Sequence, residues 1–345
     1  MRARRAASQW RLLAALALPS AACGTESGPG EADFVRVAVH YAALAQPTER
    51  GRIVAVLFPF QGRLYAGYGD IDANTGPIAI AAYDPARAAL VRDWTSDTEA
   101  VYTYRVVDGR LVAPAIDPRS EADYAIGPPW RDLRPVRADH VYDAATLSGR
   151  DLWLAGSQGL DAVLWRIDER GQASEALRVP PADASGDDFG RFYFVFAHQG
   201  RLYAHARDFY RGPKPASLVW DGSTWSEGPS LLPADAQGWH PQPFAGRIVY
   251  TSRQTVASAD GSRLLVFDGA AVSQPLASPV RDVAVGGGRV AALLADGRVV
   301  VSANLADWAE EARAPANARS IGWLGRDLYV GTDAGEILRA RHPPS

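Results

Sequence analysis

The 345-residue chain has one cysteine, Cys23, one methionine and one lysine, Lys214. A single cysteine excludes a disulfide framework and any paired-cysteine metal or redox motif. The formal net charge is −3, from 36 basic against 39 acidic residues, so no basic face for nucleic acid or an acidic membrane is implied. Six histidines, His40, His140, His198, His205, His240 and His342, show no zinc spacing and no His-Glu-x-x-His pair. Phosphate-loop and dinucleotide fingerprints are absent. Ala155-Gly156-Ser157-Gln158-Gly159 misses the nucleophile-elbow pattern at its first residue. No run after residue 22 is apolar enough to span a bilayer, which takes about 20 residues.

What the chain does have is repetition. A glycine, usually an arginine, then an apolar or aromatic strand recurs at Gly62, Gly109, Gly149, Gly200, Gly246, Gly288 and Gly325. A period of roughly 40–50 residues is that of β-propeller blades. In the first repeat, Arg52 to Phe60 reads as strand A, Arg63 to Gly69 as B, Pro77 to Tyr83 as C and Ala89 to Trp94 as D. The pattern predicts an all-β fold: a seven-bladed β-propeller of four-stranded antiparallel blades. The last repeat supplies only three strands. The alternating segment Phe34-Val35-Arg36-Val37-Ala38-Val39 is expected to add the fourth and close the ring, leaving no open edge there.

Strand C tends to end in a large apolar residue and aspartate: Tyr83-Asp84, Ile167-Asp168, Trp220-Asp221 and Phe267-Asp268. A tryptophan often follows, as at Trp94, Trp225 and Trp308, and reads as packing between blades. This phrase resembles the kelch-type blade of galactose-oxidase-like propellers and, more loosely, the Asp-box blade of sialidases, over nearly all of the chain beyond its leader. The cysteine that galactose oxidase uses for its cofactor has no counterpart here.

Arg2, Arg4, Arg5 and Arg11, then Leu12 to Leu18, then Ser20-Ala21-Ala22 before Cys23, have the layout of a secretory signal peptide. The small-residue run ending in cysteine resembles the lipobox of bacterial lipoproteins. The resemblance implies a signal peptide over 1–22, a lipidated Cys23 with a flexible tether over 23–32, and a single propeller domain over 33–345. It also implies an exported protein, lipid-anchored in the cell envelope. By analogy, the absence of aspartate at Gly24 favours the outer membrane. A plainly cleaved signal peptide with a free thiol is the other reading.

In a blade, the B–C and D–A connections emerge on one face. Loops on a rigid scaffold concentrate function. That face carries Asp70, Asp72, Asn74, Asp117, Arg119, Arg207, Tyr210, Arg211 and Arg253 on B–C loops, and Glu99, His140, Arg191 and His240 near the inner strands. Asp70-x-Asp72-x-Asn74 resembles a calcium loop, although its glycine falls one place late, at Gly76; an Asx-rich turn is the alternative. The arginines suit an anionic ligand or else serve structural ion pairs. Two functions follow. One is a monomeric, membrane-tethered, non-catalytic propeller that binds a glycan, peptide or partner protein. The other is a glycan-processing hydrolase or lyase with acids among Asp70, Asp72, Glu99 and Asp117, for which two carboxylates about 5–9 Å apart are needed.

Overall fold

The computed structural model describes residues 33–117, 122–181, 189–208, 216–233, 236–253 and 262–342. They form seven four-stranded antiparallel sheets, each built from strands in chain order except the last. Blade one spans Val56–Phe60, Arg63–Gly67, Ile78–Asp84 and Ala89–Ser96. Blades two to six follow in sequence, with inner strands Arg105–Val107, His140–Ala145, Gly190–His198, Gln237–Phe244 and Val280–Gly286. The expected all-β, seven-bladed propeller is the observed fold.

Blade seven takes Ala318–Leu324, Asp327–Thr332 and Glu336–Ala340 from the C-terminus and Phe34–Val39 from the N-terminus. Phe34 pairs with Ala340 and Val39 with Glu336, so the first strand is the outermost one of the last blade. Arg36 pairs with Glu336 at 2.9 Å, and the Asp33 carboxylate accepts the Arg313 N–H at 2.8 Å. The clasp therefore ties both ends of the chain together.

The recurring glycine is explained by the first hairpin of each blade. All seven repeat glycines have φ between 62° and 84°. In blades one, two, four and five the preceding residue, Gln61, Asp108, Gln199 or Ala245, is also left-handed. Two successive positive φ angles make the tight hairpin turn whose twist matches the strands, and glycine meets the second at no steric cost.

The core lies between blades rather than inside any one of them. Trp153 of blade three, 1% exposed, packs on Trp220 and Trp225 of blade four. Trp94 of blade one donates from Nε1 to Asp132 of blade two at 3.1 Å. Removing a buried aromatic side chain of this kind costs about 3–5 kcal/mol. Polar staples add to the packing. Asp143 accepts the Val195 N–H at 3.1 Å, Asp282 accepts that of Ile321 at 3.0 Å, and Ser320 donates to the Val54 carbonyl at 2.7 Å. Each joins one blade to the next.

Candidate functional site

Inner strands of blades three to seven share one irregularity. Their pairing slips between Val141 and Asp143, Phe192 and Phe194, Trp239 and Gln242, Val280 and Asp282, and Ala318 and Ser320. A bulge of this kind leaves a residue out of the ladder and re-aims its side chain. The residues skipped are Tyr142, Tyr193, His240 with Pro241, Arg281 and Arg319. Tyr142, Tyr193 and His240 line a central cavity of about 240 Å³. Arg281 instead donates to the Ala316 and Ala318 carbonyls, at 2.8 and 3.0 Å, and Arg319 pairs with Asp333 at 2.6 Å. Blades six and seven thus use this position for structure, and blades three to five use it for the cavity.

Blades one and two contribute from their connection. Thr98, buried, donates to the Ile116 carbonyl at 2.7 Å and accepts the Ile116 N–H at 2.8 Å. Isolated bridges continue through Gly69, Ala100, Ile116 and His140, lacing blade one, the link, blade two and blade three together. This lacing brings Glu99 and Asp117 to the cavity. Gly156, paired with Val141, is required here, because a side chain on it would run into the His140 carbonyl. The near-motif around Ser157 is therefore an inner-sheet packing element.

At the head of the cavity is a hydrogen-bonded chain. Ser157 Oγ lies 3.1 Å from His140 Nδ1, and His140 Nε2 pairs with Asp117 Oδ1. Asp117 and Glu99 both line the cavity at this point. Glu99 is 2% exposed, and its Oε2 has no hydrogen-bond partner among the described residues. Burial, followed by the neighbouring Asp117, pushes the Glu99 carboxyl well above the ordinary carboxylate range, against a smaller opposing pull from Arg191. Burial also works against the Asp117 charge, but the hydrogen bonds from His140 and Glu99 outweigh it and hold Asp117 below its usual value. Glu99 therefore keeps its proton to higher pH than an ordinary carboxyl, while Asp117 gives its own up more readily. Ser157 is 1% exposed beneath His140, so it positions the imidazole.

The walls are aromatic. Tyr142 lies 4.4 Å from Tyr193 at an interplanar angle of 50°, and Tyr102 lies 6.0 Å from Trp239 at 48°. The Arg191 guanidinium sits 4.3 Å from the Phe189 ring and 5.4 Å from that of Tyr142. His240 forms the floor. It has φ +52°, places Nδ1 3.0 Å from Asp282 of blade six, and turns Nε2 to the Tyr102 carbonyl across the channel at 3.4 Å. Beyond it is a separate void of about 20 Å³ that His240 also lines.

The structure separates the sequence-derived candidates. Glu99, Asp117, His140, Arg191 and His240 converge on the cavity. Arg253 does not reach it. Buried under Trp239 at 4.7 Å, it donates to the Arg281 carbonyl and lies 3.4 Å from Asp282. Burial lowers its pKa to about 10, which still leaves it charged at neutral pH. Asp70, fully buried, accepts from the Thr48 N–H and hydroxyl and from the Ala73 N–H. Asp72 pairs with Arg50 at 2.7 Å, and Asn74 has φ +48°. Among the described residues no group of three histidine, cysteine, aspartate or glutamate side chains has a metal-holding arrangement. Arg207 pairs with Arg191 in the blade-four ladder, away from the cavity lining. Cys23, Arg119, Tyr210 and Arg211 lie outside the described residues. Tyr102, Tyr142 and Tyr193 were not anticipated; for Tyr142 and Tyr193 the available signal was an aromatic breaking the alternation just inside an inner strand, whereas Tyr102 precedes the inner strand of its blade.

Fold and cavity together define a closed seven-bladed propeller with a ligand-sized central chamber. No protein-family model matches the chain, and no curated protein matches it. Solved structures do. The extracellular domain of a hybrid two component system from B. thetaiotaomicron superposes with a TM-score of 0.55 at 12% identity, over 90% of this chain and 40% of that one. A second structure from the same organism, described as the extracellular domain of a one component system, gives 0.54 at 12%, over 84% and 38%. The chain thus spans about two fifths of these proteins. The β-propeller domain of the Trilobed protease from Pyrococcus furiosus, described as having an open velcro topology, gives 0.51 at 10%, over 82% and 91%. At such identities the likeness is one of fold.

Proposed function

We propose that the protein is exported, anchored in the cell envelope through a lipid on Cys23, and binds a small ligand in its central cavity without turning it over. The observation that carries this reading is the cavity itself. It is an aromatic chamber with convergent polar groups and a perturbed carboxyl, the usual features of a ligand site. The leader over residues 1–22 and the small-residue run before Cys23 support export and anchoring, with Gly24 favouring the outer membrane. The extracellular placement of two similar propellers supports the same side of the membrane.

Binding is favoured over glycoside hydrolysis by the pairing of Asp117 with His140, which engages one of the two candidate carboxylates in the wall of the cavity. A fatty-acid labelling experiment in a bacterial host tests the anchor. Wild type is expected to carry label and sediment with membranes, and Cys23→Ala to lose both. A soluble, unlabelled wild type would sink the anchoring half. Calorimetric titration of the purified protein with glycan and peptide panels tests the other half.

A further inference from the structure

The cavity's charges and ring angles narrow the ligand class, and this step rests on the reading that the cavity binds a small ligand. The charged groups on its wall have partners beside them. Arg50 pairs with Asp72 at 2.7 Å and Asp143 with Arg105 at 2.8 Å. Asp117 is hydrogen-bonded by His140, and Arg191 lines the same wall. A ligand with a net charge would be desolvated against walls that hold no unspent counter-charge, which is costly.

The polar head offers both roles in hydrogen bonding. The Glu99 carboxyl lies in the same wall as the hydrogen-bonded pair of Asp117 and His140. Adjacent hydroxyls, each able to donate and accept, match such a set. The walls are flat rings whose planes are tilted by 48–50° in Tyr102–Trp239 and Tyr142–Tyr193, and the parallel pair, His140 on Tyr142 at 7°, is 5.6 Å apart, too close to admit a ring between them. A planar heterocycle gains most between parallel faces, whereas a puckered ring can lay separate C–H faces on tilted rings. The size agrees: a dry cavity of about 150 Å³ takes benzene, so 240 Å³ suits on the order of ten non-hydrogen atoms.

We propose that the central cavity is a subsite for one uncharged, polyhydroxylated ring, that is, a single neutral sugar unit. Trp239 and Tyr142 carry its C–H faces, and Glu99, Asp117 and His140 read its hydroxyls. This replaces the anionic ligand that the arginine-rich face suggested, because Arg253, Arg281 and Arg319 are committed to carbonyls or aspartates.

The test is calorimetric titration of the full-length protein in detergent with glucose, galactose and N-acetylglucosamine, their β-methyl glycosides, glucuronate, glucosamine and adenine. At least one neutral sugar is expected to bind, with glucuronate and glucosamine tenfold or more weaker. Tyr142→Ala should abolish binding. Glu99→Ala, which removes one of the groups that read the hydroxyls, should weaken binding by about tenfold or more. Equal binding of the methyl glycoside indicates the end of a glycan chain, and its loss a free sugar; either upholds the assignment. Tighter binding of glucuronate, glucosamine or adenine, abolished by Tyr142→Ala, overturns the neutral-sugar assignment and leaves the small-ligand reading standing. Binding of no compound by a folded protein overturns both.

Discussion

The carboxylate of Asp282 in blade six accepts the backbone N–H of Ile321 in blade seven at 3.0 Å. Its other oxygen faces His240 of blade five at 3.0 Å, with Arg253 at 3.4 Å. One fully buried side chain thus holds three blades in register under the cavity floor. Replacing it with alanine would strand the Arg253 charge. Asp282→Ala is expected to lower stability by about 3–5 kcal/mol in urea unfolding. A loss below about 1 kcal/mol would show that the network is not a fastener.

The clasp makes a separate prediction. Deleting residues 33–42 removes the outer strand of blade seven and the His40 cap on the one-turn helix Tyr41–Leu44. It also exposes the edge of Glu336–Ala340 for pairing with other chains. The melting temperature should fall by roughly 10 °C or more, with concentration-dependent association in light scattering. An unchanged melting curve would refute closure by this strand.

Acid should loosen the fold through two buried histidines. His40 and His205 are almost wholly enclosed, and burial lowers each from 6.5 to about 4. Unfolding frees them to take up protons at their ordinary value, so the unfolded state binds more protons between those limits. The stability they contribute is intact above about pH 6.5, shrinks as pH falls, and is gone near pH 4, at about 3 kcal/mol for each residue. Urea midpoints at pH 7, 5.5 and 4.5 should decline, and His205→Gln should flatten part of the slope. A flat wild-type profile over that range contradicts the prediction.

Glu99 should give the opposite trend. Its folded-state pKa lies above that of the unfolded chain, so its favourable neutral form is fully present in acid and is lost as pH rises through the raised value. Glu99→Gln cannot ionise. Its melting temperature relative to wild type should therefore climb between pH 6 and pH 9. A constant difference would mean that Glu99 is already ionised at pH 6.

Much of the architecture was legible because it depends on local rules that recur. Glycine takes positive φ without steric cost in the first turn of each blade, so Gly62 and its six counterparts mark blades one by one. Alternation in Phe34–Val39, set beside a last repeat one strand short, was enough to place the closing strand. At the site, Glu99, Asp117, His140, Arg191 and His240 could be assigned to one face by counting strands. Their grouping was not readable, and Tyr142 and Tyr193 were missed. Both tyrosines sit at bulges, and a bulge moves a residue off the face that strict alternation would give it.

The fates of the arginines show where local information stops. Residue type alone makes Arg191, Arg253, Arg281 and Arg319 look alike. Yet Arg191 borders the cavity, Arg253 is buried beneath Trp239, and Arg281 and Arg319 hold carbonyls and Asp333. Strand order and turn chemistry follow from neighbours in the chain, so the residues alone define them. The pairing of Asp117 with His140, of Arg105 with Asp143 and of Arg253 with Asp282 arises between residues on different blades. Only closure of the ring sets those distances and removes the water that would otherwise screen them.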